Sequence, residues 1–367
     1  MAFEQKVALP GSNREPVAGA VVSGPVAENE IVSVTVILRR RKKLESLESF
    51  AFSRSHRVRH HSRAEFGALY GADPADIATI EAFASEYGIT ITQVSQARRS
   101  VVLSGPAKNM QQAFGVTLQH YTSPQGSYRG RTGSVMVPEE ILPIITAVLG
   151  LDNRQVAKAH VRRGAAKAKT AGTFTPVQVA ELYSYPTAGN GTGETIGIIE
   201  LGGGYTTSDL TTYFKGLGLK APTVLAVSVD GGVNQPGTDA DDEVMLDIEV
   251  SGSVAPGAKI VLYFAPNTDQ GFVDAITTAV HDTTNNPSAI SISWGGPEDS
   301  WTTQSADAML QAVTDAAAVG VTVTVAAGDD GSSDGVDDGQ LHVDLPACLP
   351  PVQIGRASCR ERVLCVV

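Results

Sequence analysis

Apolar residues follow two different regimes along the chain. From Ile31 to Leu38 they alternate with polar residues, the period of a half-buried strand. Asp73-Pro74 then has the form of a helix start, a side-chain cap followed by proline in the first turn. Ile77, Ile80, Phe83 and Tyr87 continue as one helical stripe, which Gly88 ends. Strands are expected over 89–94 and 100–104, a short helix near 108–114, a strand over 116–121 and a proline-started helix over 138–149. The order β-α-β-β-α-β within residues 31–150 predicts an α+β, ferredoxin-like domain. Residues 1–30, punctuated by Pro and Gly, read as a flexible N-terminal arm.

Past residue 172 the spacing changes. Apolar strand-length runs at 195–200, 223–229, 259–264, 289–294 and 321–327 alternate with helical segments near 207–217, 242–251, 270–283 and 302–318. Such alternation predicts right-handed βαβ units and an open α/β parallel sheet covered on both faces. Residues 172–352 are therefore expected to form a second unit. The stretch 151–171, rich in Ala, Lys and Arg, has the composition of an exposed, cleavable linker.

Charge separates the same two regions. The net charge of the 367 residues is −11. Residues 1–170 carry 22 Lys and Arg against 14 Asp and Glu, a net of +8. Residues 171–355 carry three Lys, no Arg and 24 acidic residues, a net of −21. The split reads either as two units that attract each other or as two unrelated surfaces on a linker. No apolar run reaches the ~18 residues of a membrane span, and Glu4, Lys6 and Pro10 stand where a secretory leader needs an apolar core. Cys348, Cys359 and Cys365 match no zinc or redox spacing. They crowd the C-terminus, where 353–367 also restores arginine; that segment reads as a non-native tail.

Open parallel sheets bind ligands beyond the carboxyl ends of their strands. Three strand ends here carry an acid or a tryptophan beside glycine: Glu200 before Gly202-Gly203-Gly204, Trp294-Gly295-Gly296, and Gly328-Asp329. Within Asp242–Glu249, Glu243 and Asp247 are i,i+4 neighbours on one helical face. Like charges at that spacing weaken a helix by a few tenths of a kcal/mol. The pair is either a coupled acid–base couple or a solvated acidic face. Asp329 follows a strand too apolar for the surface; a carboxyl kept protonated there could donate to an oxyanion. Two other readings of that loop stand beside it: solvated acids, and an EF-hand-like calcium loop, which lacks its twelfth-position Glu because Leu341 stands there.

Other signals fail on context. Gly191, Gly193 and Gly197 precede a strand rather than follow one, against a dinucleotide turn. Arg39 to Lys43 ends a strand without an aromatic platform, so a solvated edge or an intramolecular contact is expected over nucleic-acid binding. His56, His60 and His61 lie in basic surroundings, and His281 and His342 lack a subtilisin-type context, which leaves a Ser–His–Asp triad unsupported.

Four motifs, Ile198-Ile199-Glu200-Leu201-Gly202-Gly203-Gly204-Tyr205, Glu243 to Val250, Ser291-Ile292-Ser293-Trp294-Gly295-Gly296-Pro297-Glu298 and Ala326-Ala327-Gly328-Asp329, come in an order and spacing that resembles the sedolisins. These are the serine-carboxyl peptidases, and the likeness is to precursors of their kumamolisin group. The resemblance runs from about residue 31 to 347. It implies an activation propeptide over 31–150 and, from 172, the N-terminal half of a subtilisin-like catalytic domain. Residue by residue, it implies Glu243 as general base, Asp247 as the carboxylate orienting it, Asp329 as oxyanion-hole acid, and Glu200 and Trp294 as the supporting network. It further implies an acid-active endopeptidase of Ser-Glu-Asp mechanism, secreted, with protein or peptide substrates and an intramolecular propeptide contact, and with neither nucleic acid nor membrane as partner. A glutamate base suits acid, where histidine would be protonated.

The family's nucleophile lies in a Gly-Thr-Ser-x-x-x-Pro motif, and no Gly-Thr-Ser occurs in these residues. The family's Ca2+ site follows that motif and is expected beyond the end of this chain. No peptidase activity is expected of the 367 residues themselves. The alternative is a non-catalytic binding or inhibitory protein made of a propeptide and a partial sheet.

Overall fold

A computed structural model describes residues 5–44, 60–161, 174–186 and 189–355. The expected cleavage region from Arg162 to Thr173 and the tail from Arg356 onward lie outside the described residues. The chain divides into two compact units: residues 1–156 with 267–273 and 298–320, and residues 157–266 with 274–297 and 321–367.

In the first unit the strands are β1 (Lys6–Ala8), β2 (Val21–Pro25), β3 (Ile31–Leu38), β4 (Thr90–Ser95), β5 (Ser100–Pro106), β6 (Gln119–Ser123), β7 (Gly126–Gly130), β8 (Met136–Pro138) and β9 (Ile145–Leu149). The helices are α1 (Arg63–Tyr70), α2 (Pro74–Glu86) and α3 (Ala107–Phe114). Val32, Val34 and Val36 alternate inward from β3 and meet Ile80, Phe83, Met110 and Phe114 of the two longer-range helices. Asp73 caps α2 by accepting from the Ala75 N–H at 2.9 Å, as its position before Pro74 predicts.

The main sheet is antiparallel in the order β4-β5-β3-β9, the order a β-α-β-β-α-β path requires. Its fourth strand corrects the reading of 138–149 as a helix. Ile141, Ile144, Ile145 and Val148 mimic a helical stripe, yet residues 145–149 pair with the open edge of β3. A β-branched run beside an unpaired strand edge outweighs the local period. The strand expected at 116–121 starts instead at Gln119 and joins a separate sheet, β2-β6-β7. The arm is corrected as well: β1 pairs with β8, β2 with β6, and Leu9, Ser12 and Arg14 are buried.

The second unit opens with β10 (Lys158–Ala159) and α4 (Pro176–Leu182). Along the chain there follow β11 (Thr195–Glu200), α5 (Thr207–Gly216), β12 (Thr223–Ser228), α6 (Asp241–Val254), β13 (Lys259–Phe264), α7 (Asp269–His281), β14 (Ala289–Ile292), β15 (Trp294–Pro297), α8 (Thr303–Ala318), β16 (Thr322–Ala326), β17 (Asp344–Leu345) and β18 (Gln353–Gly355). The first turn of α7 and all of α8 fall in the first unit. The sheet β12-β13-β11-β14-β16-β18 is parallel throughout. Its five long strands lie where the apolar runs predict. Residues 353–355 add a sixth, so the fold extends past the boundary drawn for a non-native tail.

Helix α8 shows why the units do not follow the linker. The Gln304 side chain brackets the backbone of Val148, accepting from its N–H at 3.1 Å and donating to its carbonyl at 2.9 Å. Arg99, buried at a left-handed backbone position (φ +58°), donates to Gln311 at 2.8 Å and pairs with Asp315 at 3.3 Å. Arg40 pairs with the same carboxylate. Arg39 meets Asp76 at 2.8 Å and Arg41 donates to the carbonyls of Ala68 and Ala72. The basic run therefore makes intramolecular contacts.

Candidate active site

Every expected site residue lies in the second unit. Glu200 is the last residue of β11, and its side chain is fully buried. Trp294 opens β15, and its indole N–H donates to Glu200 Oε2 at 2.9 Å. Helix α6 supplies the pair. Val244, Ile248 and Gly252 form its core-facing row against Ile198, Leu262 and Phe214. At Gly252 a Cβ would sit 2.7 Å from the Phe214 ring, so only glycine lets the helix come this close. With that row inward, Glu243 and Asp247 share the adjoining face. Ser293, between β14 and β15, donates its hydroxyl to Asp247 Oδ1 at 2.8 Å.

Electrostatics separate this cluster from a solvated acidic face. Burial and the negative charge of Asp247 push Glu243 up to about 8, with the Ser293 hydroxyl and His160 opposing the shift. Burial pushes Asp247 up to about 6 against its bond from Ser293. Glu200 is raised well above the ordinary glutamate range, by burial and then by Asp247, despite the indole donor. Desolvation is the leading cause in all three. Glu243 Oε2, Asp247 Oδ2 and Glu200 Oε1 are buried without a hydrogen-bond partner among the described residues. Each carboxyl thus keeps one buried acceptor atom unused, and the charge of Asp247 raises both Glu200 and Glu243.

Asp329 follows Gly328 (φ +80°) at the end of β16 and is half-buried. It stands close enough for its charge to raise Glu243. Next to it lies a second acidic group that the sequence does not signal. β17 pairs antiparallel with β15 and so brings in Asp344. His160 Nε2 lies 3.2 Å from Asp344 Oδ2. Although burial lowers it, His160 is raised overall by Asp344, Asp334 and Glu243. Asp334, held at φ +46°, is pushed up to about 6 by burial and Asp344. His160 arrives because the linker makes a strand: Lys158 and Ala159 pair antiparallel with Gly295 and Trp294, and the His160 N–H donates to the Ser293 carbonyl at 2.9 Å. Nothing local in the sequence marks 158–160 as a strand. Ser293 was visible only as a neighbour of Trp294.

Among the described residues, no group of three or more His, Cys, Asp or Glu side chains is placed to hold a metal ion. The implied Ca2+ has no fitting donor set here, and no step of the chemistry below runs through it.

An α+β module precedes in the chain a doubly wound parallel sheet of subtilisin-like type, with buried carboxyl groups on β11 and α6. The model of the Pro-kumamolisin activation domain matches residues 18–154, and that of the subtilase family matches 228–352. The chain belongs to the sedolisin family of serine-carboxyl peptidases. It is 50% identical over 366 residues to kumamolisin of a Bacillus species, covering 95% of this chain and 66% of kumamolisin. It is 25% identical to sedolisin of a Pseudomonas species, covering 79% of this chain and 52% of that one. The solved structure of Pseudomonas sedolisin complexed with pseudo-iodotyrostatin superposes with a TM-score of 0.45 at 26% identity, covering 50% of this chain and 54% of that one. The chain thus spans about two thirds of the length of the first relative and half that of the second.

Proposed function

We propose that this chain is the precursor of a secreted, acid-active serine-type endopeptidase, in which Glu243 is the general base and Asp247 the carboxylate that orients it. The mutual burial of Glu243, Asp247 and Glu200 carries this reading. A proton taken from a seryl hydroxyl by Glu243 passes into a cluster that already shares protons, so no new charge is stranded in the interior. A hydroxyl donating to Glu243 favours its carboxylate and draws its pKa down toward the acid range in which the base must ionise. Trp294 and Ser293 supply the donors that steady Glu200 and Asp247. Asp329, half-open at the end of β16, has the position of a donor to a developing oxyanion. Extracellular location and a need for Ca2+ belong to the same reading and rest on the family alone.

The linker strand supports a precursor in its resting form. An extended segment on β15, with its histidine seated on Asp344, fills a backbone edge of the kind to which extended peptides add.

The 367-residue chain, without Gly-Thr-Ser, is expected to release no peptides from a denatured protein at about pH 4. A chain continued through that motif is expected to hydrolyse it and to lose on the order of 10³-fold or more in kcat/KM with Glu243→Gln. Hydrolysis by the 367 residues alone, or full activity in the Gln variant, would overturn the assignment.

A further inference from the structure

Asp241, two residues before Glu243, takes no part in the chemistry proposed above and yet has an unusual set of partners. It is the first residue of α6, and the residue before it, Ala240, offers no side-chain cap. The Asp241 carboxylate reaches outside the helix. Oδ1 accepts from the Gly204 N–H at 2.9 Å and from the Thr238 hydroxyl at 3.2 Å. Oδ2 accepts from the N–H groups of Gly237 at 2.6 Å and Thr238 at 3.3 Å. Four donors from two loops converge on one side chain.

One of these loops is the continuation of β11. Gly204 lies four residues after Glu200, and the turn between them is locked on both sides. Gly203 is left-handed (φ +74°), and a Cβ there would meet the Ala240 carbonyl carbon at 2.7 Å. Asn234 accepts from the Tyr205 N–H at 2.8 Å and donates to the Tyr205 carbonyl at 3.1 Å. The strand end bearing Glu200 and the helix start bearing Glu243 therefore touch backbone to backbone, and Asp241 is the side chain that bonds to both.

We propose that Asp241 is a positioning residue for the carboxylate cluster, fixing the separation between Glu200 on β11 and Glu243 and Asp247 on α6. The inference rests on the reading of that cluster as the catalytic one. A carboxylate suits the position: it accepts at both oxygens and sits in the first turn, where the helix dipole favours negative charge. Asn keeps one acceptor oxygen and Ala keeps none, so the two substitutions grade the loss. The groups facing the cluster are Glu200, Glu243, Asp247, Asp329 and His160; Asp241 acts on them through backbone placement.

Trp294 provides the readout. The chain has two tryptophans, so Trp301→Phe leaves a single indole resonance, whose N–H donates to Glu200. Its nitrogen-15 and proton shifts are followed against pH in the full 367-residue chain. Asp241→Ala is expected to move the midpoint by about one pH unit or more toward the ordinary carboxylate range, as water enters and the charges separate. Asp241→Asn is expected to move it by less. A midpoint unchanged in a folded Asp241→Ala chain overturns the proposal. If that variant does not fold, an unchanged midpoint in Asp241→Asn does the same. Glu243→Gln is the control: if it leaves the indole titration unmoved, the carboxyls are uncoupled and the catalytic reading fails, whatever Asp241 does.

Discussion

Asp315→Ala is expected to destabilise the first unit by about 3–5 kcal/mol, because it leaves two guanidinium groups without their shared counter-ion in the interior. The Asp315 and Arg99 side chains are 1% and 2% exposed, and that of Arg40 is 15% exposed. Arg99 also donates to the Leu38 carbonyl at 3.0 Å, so it has little freedom to swing toward water. Burial drives the Arg99 guanidinium down from its ordinary range, and the Asp315 charge is the main force against that shift. Removing both sides of the pair separates charge from packing. An Arg99→Met, Asp315→Leu double variant is expected to regain more than half of the single variant's loss, since two buried apolar groups need no counter-ion. Denaturant titration of the chain, followed at probes in residues 1–156, reads both numbers. A loss below about 1 kcal/mol for Asp315→Ala would show that the guanidinium groups find other partners on helix α8.

The second large effect is a dependence of stability on pH that runs opposite to common acid denaturation. Glu243 binds its proton up to about pH 8 in the folded chain, against an ordinary value of 4.5. Between those values the native state holds more protons than the unfolded one, so stability falls as pH rises. Glu200 and Asp247 are raised too and act in the same direction. His160, raised above 6.5, adds stability that is complete below 6.5 and is lost as pH climbs through its folded value. Glu243 alone is expected to account for on the order of 3 kcal/mol between pH 4.5 and 8, allowing for protons shared across the cluster. Melting curves of the second unit should show a higher Tm at pH 4.5 than at pH 8, and Glu243→Gln should flatten the difference. Parallel pH profiles for the two chains would refute the assignment of the buried proton to Glu243.

What the sequence discloses about this fold depends on how local each determinant is. The strands ending at Glu200 and Phe264 are legible because a parallel strand buried on both faces is a nearly continuous apolar run. Helix α6 is legible as a helix, and the acids on it as a pair, because i,i+4 spacing is a local property. Residues 138–149 mislead for the converse reason: their stripe satisfies a helix, and only the free edge of β3, more than a hundred residues earlier, makes them a strand. The same holds in the site. Glu200, Glu243, Asp247, Trp294 and Asp329 stand in local motifs and are picked out by them as candidates. Asp344 and His160 owe their positions to strand pairings formed at the edges of β15, and no spacing in the chain announces these. Asp241 looks like one more acid in an acidic run until its donors are traced to two other loops.

Strand β15 has both edges occupied, by β10 on one side and β17 on the other. On the proposed reading, an extended peptide that adds to β15 finds no vacant edge and has to compete with a segment of the same chain. Only two residue pairs join that segment to β15, a weak grip for a free peptide. The segment does not act as a free peptide, because the same chain is anchored elsewhere and keeps its local concentration at β15 high. A backbone cut beyond His160 leaves β10 attached to residues 1–156, which helix α8 also holds through Gln304 and Asp315. The edge therefore empties only when those contacts break as well.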